Sequence, residues 1–324
     1  HTAWLKARYP AEFMAATLSA DMDDTDKVHL FVADARQNGV EVLPPDINES
    51  GYRFEPVSDC AMRYGLGAIK GTGESAVVEI LRARAERLFA DLFDFCERID
   101  RKAVNRRAIE ALVRAGAFDA LDENRARLLA NVGRAMDAAE AASAAVDQVS
   151  LFGDDTGMPS APEWLPAPPW GERQRLQEEK AALGFFLNGH LFNGYREEVR
   201  RFVQTKLVDL QPQPQPVWMA GVIAAQRTQM TRRGKMVFVT LDDGTARLDV
   251  SVYSELYEAH RRQIGEDELL VVFGKISRDD YTGGQRVVAE RILDLVGARQ
   301  EFGKRLRIRL NGTADDVALR GAIT

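Results

Sequence analysis

Apolar and polar positions alternate in two textures along this chain, and the change falls after residue 216. Before it, apolar residues recur at helical spacing. Trp4, Leu5, Phe13, Met14 and Leu18 mark a partly buried helical start, interrupted at Pro10, which suits the first position of a new helix. Val28, Leu30, Phe31, Val32 and Ala35 predict a helix over Asp26–Asn38, stopped by Gly39. Short strands are expected at Val40–Leu43, ended by Pro44-Pro45, and at Tyr52–Pro56. Helices follow over Ala76–Arg87, Leu92–Ile99, Asn105–Gly116, Asn124–Ala145 and Glu172–Phe186. The helical pattern stops at Gln148, and a polar, Pro-rich stretch runs from there to Trp170.

Gln211-Pro-Gln-Pro-Gln-Pro216 reads as a stiff, extended linker. Beyond it the β-branched and aromatic content rises. Strands are predicted at Val217–Gln226, Met236–Leu241, Arg247–Tyr253, Leu269–Ser277 and Gln285–Val296, with a helix at Ser254–Gln263. Asp242-Asp-Gly-Thr245 and Tyr281-Thr-Gly-Gly284 are the hairpin turns. The order β-β-β-α-β-β fits a five-stranded OB barrel, since an SH3-like barrel needs no helix between its third and fourth strands. The fold class is therefore α+β and multidomain, a helical region followed by that barrel.

Composition narrows the function classes. A chain of 324 residues, 45% hydrophobic and 28% charged, is long enough for two or three ordinary globular domains. No apolar run approaches a membrane span, and the start carries no signal-peptide pattern. His1–Tyr9 reads as the middle of a helix, so the chain is expected to be part of a longer one. Cys60 and Cys96 are its two cysteines, with no Cys/His cluster, which points away from structural zinc and toward a reducing, cytoplasmic setting. The net charge of −6 excludes a chain coated in basic residues but not a local basic face.

The candidate chemistry centres on Tyr64–Ile80, with Ile69-Lys70-Gly71-Thr72-Gly73 at its heart. Two glycines one residue apart permit a tight turn, and Ala76, Val77 and Ile80 continue it as a helix. The first amides of a helix lack internal partners, and with the helix dipole they form an anion site. No strand precedes the glycines, so a dinucleotide-binding loop is disfavoured. The pattern resembles a helix-hairpin-helix, which grips a nucleic-acid backbone without reading sequence. In that reading Gly71, Gly73 and the amides of Thr72, Glu74 and Ser75 meet a duplex phosphate, and Lys70 adds charge. Arg101, Lys102, Arg106 and Arg107 cluster nearby in sequence, of which Arg106 and Arg107 are carried forward as DNA contacts. A glycine turn between two packed helices is the bland alternative.

On the barrel, Arg227, Arg232, Arg233 and Lys235 stand around the first loop, and Arg278, Tyr281 and Arg286 at the last hairpin. Phe238 and Tyr253 offer faces on which bases of a single strand stack, unless strand register turns them inward. Adjacent Leu151 and Phe152 sit in a polar, Pro-flanked segment with no periodic partners. Such anchors suit a partner's apolar pocket or tuck back onto their own domain. The acidic pairs Asp23-Asp24, Asp154-Asp155, Asp242-Asp243 and Asp279-Asp280 fall in loops and read as caps and turns. No catalytic or metal-binding residue is expected.

Six stretches together resemble the bacterial DNA polymerase III alpha-subunit family, the C-family replicative polymerases. They are A-W-L-K-A-R-Y-P-A-E-F-M-A-A at 3–16, L-P-P-D-I-N at 43–48, Y-G-L-G-A-I-K-G-T-G-E at 64–74, N-R-R-A-I-E-A-L-V-R-A-G-A-F-D at 105–119, L-G-F-F-L-N-G-H at 183–190 and T-L-D-D-G-T-A-R-L-D-V at 240–250. The resemblance implies six segments. Residues 1–63 would end the fingers domain, 64–147 would be a helix-hairpin-helix and clamp-binding domain, and 148–170 a clamp motif and linker. Residues 171–216 would be a helical segment and linker, 217–297 the OB fold, and 298–324 the start of a tau-binding domain. Gln148, Ser150, Leu151 and Phe152 would enter a sliding clamp, with Val149 where the family more usually has Leu. Leu191 stands where the family often has Pro. The implied partners are duplex and single-stranded DNA, the clamp and the tau subunit of the clamp loader, with no membrane. The implied parent is a Mg²⁺-dependent polymerase whose palm carboxylates lie outside this chain, leaving the segment itself without cofactor or activity. A freestanding adaptor combining hairpin and OB modules is the alternative, and a tRNA-binding OB protein a third.

Overall fold

The computed structural model describes residues 2–152, 163–231, 234–278 and 285–304, with the side chains of 145–152, 231 and 234–235 left undescribed. The chain divides into two compact units, His1–His190 and Leu191–Thr324.

Unit 1 begins with three helices, α1 (Thr2–Arg8), α2 (Pro10–Ala20) and α3 (Thr25–Gln37). Pro10 opens α2, where its missing N–H costs nothing, and the Asp24 carboxylate caps α3 by accepting from the amides of Asp26 and Lys27. Gly39, at φ +77°, turns the chain out of α3. Then comes a small sheet of β1 (Glu41–Leu43), β2 (Glu55–Ser58) and β3 (Ala61–Arg63) in the order β1-β3-β2, with β1 parallel and β2 antiparallel to β3. A single 3₁₀ turn at Leu66–Ala68 leads into α4 (Glu74–Glu86), α5 (Leu92–Arg98), α6 (Arg106–Ala115), α7 (Arg125–Phe152) and α8 (Glu172–Leu183). The strongly amphipathic sequence of α6 buries Ile109, Leu112 and Val113 completely and ends on Gly116 in the left-handed region.

One apolar core runs through unit 1, from Ala11 in α2 to Leu187 beyond α8. Phe89, Phe95 and Phe118 meet edge-on within it, with centroids 4.9 and 5.1 Å apart. At its edge a polar lock is buried. Glu179, fully buried, accepts from the amides of Leu187 (2.7 Å) and Asn188 (2.8 Å) and from Asn188 Nδ2 (2.8 Å). Arg125, only 2% exposed, lies 3.5 Å from Glu179 and 2.5 Å from Asp119. Burial works against the Arg125 charge, but the bond to Asp119 and the pull of both carboxylates outweigh it and raise its pKa. The same burial pushes the Tyr64 phenol up, with Glu179 adding to the effect, and lowers the pKa of Arg36, whose Nη2 donates to the Leu187 carbonyl at 2.6 Å.

Unit 2 opens with α9 (Asn193–Val199) and then builds a closed barrel of β4 (Val217–Thr231), β5 (Gly234–Asp242), β6 (Arg247–Tyr253), β7 (Leu269–Arg278) and β8 (Gln285–Leu293). The neighbour order is β4-β5-β6-β8-β7, and β7 returns to β4. All pairs are antiparallel except β6 with β8, and α10 (Ser254–His260) fills the crossover between β6 and β7. This is the OB arrangement that the strand order predicts. Alternation sends Val237, Val239, Leu241, Val250, Val252, Val272 and Val287 into the barrel interior.

The structure departs from the sequence expectations in several places. A short strand, β3, does precede the glycines, although the 3₁₀ turn at Leu66–Ala68 separates the two, and β4 runs on to Thr231 rather than ending at Gln226. Residues 1–63 share their core with the rest of unit 1, so no boundary between cores falls at 63/64. Helix α7 does not stop at Gln148 but continues through Phe152; the Ala-rich run offers no breaker before Gly153, and elongation adds one bond per residue. The Pro-rich segment 211–216 is not a free linker. It belongs to unit 2, where the Gln213 amide donates to the Ile276 carbonyl and Gln285 Nε2 to that of Leu210. Finally, β8 ends at Leu293 rather than Val296, because Asp294 caps α11 (Leu295–Phe302), which crosses the expected boundary at 297/298.

Replacing Glu179 with Gln should therefore destabilise unit 1 by about 3 kcal/mol, near the low end for breaking a buried pair, because Asp119 still faces Arg125. Chemical denaturation followed by circular dichroism measures it. An unchanged midpoint would mean that the lock contributes nothing net.

Candidate nucleic-acid interface

The glycine hairpin is held from behind by apolar burial and left open in front. Tyr64, Leu66, Ile69, Val77 and Ile80 are all buried in the core of unit 1. Each of the four aliphatic side chains among them contributes about 1.5–3 kcal/mol on burial, enough to fix the turn between them. The Lys70 amide donates to the Ala182 carbonyl at the end of α8, at 2.9 Å. Gly71 takes φ +86°, a conformation that side-chain-bearing residues rarely enter. Gly73 then stands as the N-cap of α4 with ordinary extended geometry and no side-chain cap.

Gly71, Gly73, Glu74 and Ser75 are all exposed, and a Cβ added to either glycine would meet nothing within 4 Å. The amides of Ala76 and Val77 return to the Gly73 carbonyl, so Glu74 and Ser75 present the amides at the positive end of α4. Thr72 does not share that role. It is buried, and both its amide and its hydroxyl bond the Ile69 carbonyl, at 3.1 and 2.9 Å. Lys70 is exposed, and its ammonium lies across Gly184, close enough to crowd a Cβ added there. That position suits a cation, since it faces the negative end of α8. Arg106 is bonded to Glu110 at 2.8 Å along α6 and Arg107 is exposed beside it. Among the described residues no hydrogen bond or ion pair joins either arginine to the hairpin.

On the barrel, register decides which residues share a face. Arg227 pairs with Phe238, Phe238 with Ser251, and Ser251 with Val288, so these four positions form one row on the outer side of β4, β5, β6 and β8, in which Ser251 is itself covered and only 2% exposed. The Arg227 guanidinium lies over the Phe238 ring, 4.4 Å from its centroid, and contacts Asp249 at 3.3 Å. Both members of that ion pair are well exposed, so it holds Arg227 only weakly. Tyr253, 37% exposed, follows Ser251 on the same face of β6, and Arg286 precedes Val288 on the same face of β8. Arg278 is exposed at the end of β7. Arg232, Arg233 and Tyr281 lie outside the described residues, as does the side chain of Lys235. The backbone of Gln148, Ser150, Leu151 and Phe152 forms the last turns of α7, and their side chains are likewise undescribed.

Sequence reasoning missed a second aromatic row. Trp218 pairs with Phe273 and Phe273 with Arg291 across β4, β7 and β8, and Phe302 of α11 packs on Trp218 with centroids 5.0 Å apart. Phe202 stacks on Phe302 at 5.3 Å. None of these rings is fully exposed; they fasten α9 and α11 to the barrel rather than await a base. Alternation along β4 was the available signal, but the pairing needs a register that only closure of the barrel supplies.

The acidic pairs that the structure describes are spent on local caps. Asp24 caps α3, the Asp242 carboxylate accepts from the Gly244 amide, and Asp243 accepts from the amides of Leu207, Thr245 and Ala246. Among the described residues, no group of three or more His, Cys, Asp or Glu could hold a metal ion.

The two glycines should separate on mutation. Gly71→Ala forces a side chain into the left-handed region and should cost about 1–2 kcal/mol, whereas Gly73→Ala should be tolerated within about 1 kcal/mol. Thermal unfolding of the two variants checks the difference.

Residues 39–128 match the family model for the helix-hairpin-helix motif, and 217–295 match that for an OB-fold nucleic acid binding domain. DNA polymerase III subunit alpha of Neisseria meningitidis serogroup B is 46% identical over 312 residues, covering 95% of this chain and 27% of the relative. The same subunit of Vibrio cholerae is 41% identical over 317 residues, and that of Escherichia coli K12 39% over 318, at the same coverages. A solved OB-fold domain of replication protein A from Methanococcus maripaludis overlaps 32% of this chain and 98% of its own, at 15% identity and a TM-score of 0.23. Hairpin, barrel and near-complete alignment thus place this chain with the DNA polymerase III alpha subunits, of whose length it spans about a quarter, 27%.

Proposed function

We propose that this segment is a non-catalytic DNA-holding part of a replicative polymerase, with the hairpin on duplex DNA and the barrel on the single-stranded template. The observation that carries the reading is the open front of the hairpin, where exposed amides at the start of α4 face no cap and no side chain. A duplex phosphate in front of Gly71 and Gly73 would receive the Glu74 and Ser75 amides. No base would be read, as a replicative enzyme requires. On the barrel, the Arg227 guanidinium stacked over Phe238 would supply a planar cationic face, which binds bases without regard to sequence.

In the longer protein, template-directed synthesis with Mg²⁺ would be carried by residues outside this segment, in a cytoplasmic setting. Gln148, Ser150, Leu151 and Phe152 would meet the sliding clamp, and residues from about 298 onward would lead to the tau subunit. A helical backbone over 148–152 is compatible with that only if the last turns of α7 unwind to present adjacent Leu151 and Phe152 together, since neighbours on a helix do not share a face. The freestanding-adaptor reading has the same modules but no use for a clamp motif.

Titration of the chain with primed duplex and with single-stranded DNA at several salt concentrations tests the core of the proposal. Gly73→Asp is the sharpest variant. Asp is a better helix cap than Gly, so α4 should be as stable or more so, while a carboxylate now occupies the phosphate position. Duplex affinity should fall about tenfold, roughly one charged contact, with single-strand affinity unchanged. Arg227→Glu should do the reverse, weakening single strands of every sequence. A Gly73→Asp protein with full duplex affinity would leave the hairpin as a packing turn only.

The clamp reading makes a separate prediction. Two buried apolar side chains are worth about 1.5–3 kcal/mol each before the cost of ordering the segment, so a peptide covering 148–152 should bind a cognate clamp at about micromolar strength. Leu151→Ala with Phe152→Ala should abolish that binding and leave DNA affinity intact, measured by surface titration against the clamp. Undiminished clamp binding by the double variant would remove these residues from the interface.

A further inference from the structure

At the end of the barrel opposite the Arg227 region, α9 and the β5–β6 turn enclose a pocket. It is lined by Phe192, Val199, Val203 and Ala220 on its apolar side and by Arg196, Arg200 and Lys206 on its basic side. It is a shallow, partly open site of about 50 Å³, room for a single phosphate-sized group rather than a whole nucleotide.

The cations in this wall are poorly satisfied by the protein itself. Among the described residues Arg196 Nε is buried with no hydrogen-bond partner, and Arg196 Nη2 reaches the Asp243 carbonyl only at 3.4 Å. A buried donor without a partner has lost its water and gained nothing in return, so the site gains by receiving an acceptor. Among the described residues Arg200 makes one ion pair, with Glu197 at 3.7 Å and both side chains exposed, and Lys206 is exposed. The acid in the wall, Asp243, does not neutralise them. Its oxygens accept from the Leu207, Thr245 and Ala246 amides and the Thr245 hydroxyl, at 2.9, 2.8, 3.2 and 2.6 Å. Glu198, on the same helix, is turned onto Arg299 at 2.5 and 2.8 Å.

We propose that this pocket seats a backbone phosphate of single-stranded DNA, with sugar or base against Phe192 and Val199, so that the strand continues past the stacking face to the far end of the barrel. The inference rests on the reading that unit 2 holds single-stranded DNA, and adds a second anchoring point to it. Arg196 acts as the fork that meets the phosphate oxygens, and Arg200 and Lys206 as its mobile flanks.

The test uses the full chain and two oligonucleotides. A strand of about 6 nucleotides is covered by the stacking face alone, and one of about 20 exceeds the site of a single OB face. Arg200→Glu with Lys206→Glu should weaken the long strand about tenfold and reduce its salt slope by about 0.7 for each phosphate no longer neutralised, with the short strand unaffected. A control pair, Arg261→Glu with Arg262→Glu, makes the same charge change on exposed positions elsewhere on unit 2 and should have little effect. Unchanged long-strand binding by the first pair, or an equal weakening in the control, overturns the pocket assignment. So does a Glu-rich peptide that binds the wild type but not the first pair while oligonucleotide affinities stay equal, which would give the pocket to a protein ligand. The Arg227→Glu variant separates the two readings. If it loses both strands while the pocket variant loses neither, the stacking face stands without the pocket; if it loses neither, the reading of the barrel itself fails.

Discussion

Unit 1 depends on a charge that cannot reach water. Glu179 is fully buried on α8, and its four partners come from Arg125 at the start of α7 and from the backbone and side chain of residues 187–188. Desolvating such a pair costs much of what the attraction returns, so its net gain over an apolar trio is small. Its effect is on specificity, because any packing that separates Arg125 from its carboxylates strands a buried charge. The lock fixes α8 against α7, and α8 in turn carries the Ala182 carbonyl that accepts from Lys70. The hairpin thereby inherits its position from a polar network well removed in sequence.

In the proposed reading, the two modules would meet the same ligand chemistry by different physics. At the hairpin, amides and a helix dipole face an opening lined by glycine, and little formal charge is used. On the barrel an arginine lies over a phenylalanine, so charge and stacking surface coincide. Neither device needs a basic chain, which is how a net charge of −6 is compatible with nucleic-acid binding. The acidic residues are placed where they cap helices and turns, as at Asp24, Asp242 and Asp243, leaving the interface amides uncovered.

Thr72 and α7 illustrate where local pattern misleads. A residue between two turn glycines looks exposed by position, yet Thr72 turns inward and spends its donors on Ile69 because its neighbours Ile69 and Val77 are core. Likewise, the absence of periodic apolar partners after Gln148 suggests an end to α7. Helix continuation there needs no apolar periodicity, and the sequence holds no Gly or Pro between Gln148 and Gly153 to oppose it.

The sequence by itself determined the elements whose signals are local. Gly39 and Gly116 ended their helices, Pro10 began one, Asp242–Thr245 turned a hairpin, and the strand order named the barrel. It also located the hairpin, because two glycines before an apolar helix are a short-range pattern. What it left open were properties that exist only between distant segments. Which face of β5 carries Phe238 is fixed by pairing with β4 and β6, and a slip of one residue would have buried it. That Trp218, Phe273 and Arg291 form a row depends on β7 pairing with both β4 and β8. That residues 1–63 share a core with α4 to α8, and that Arg125 meets Glu179, are consequences of close packing, which no periodicity within one segment encodes.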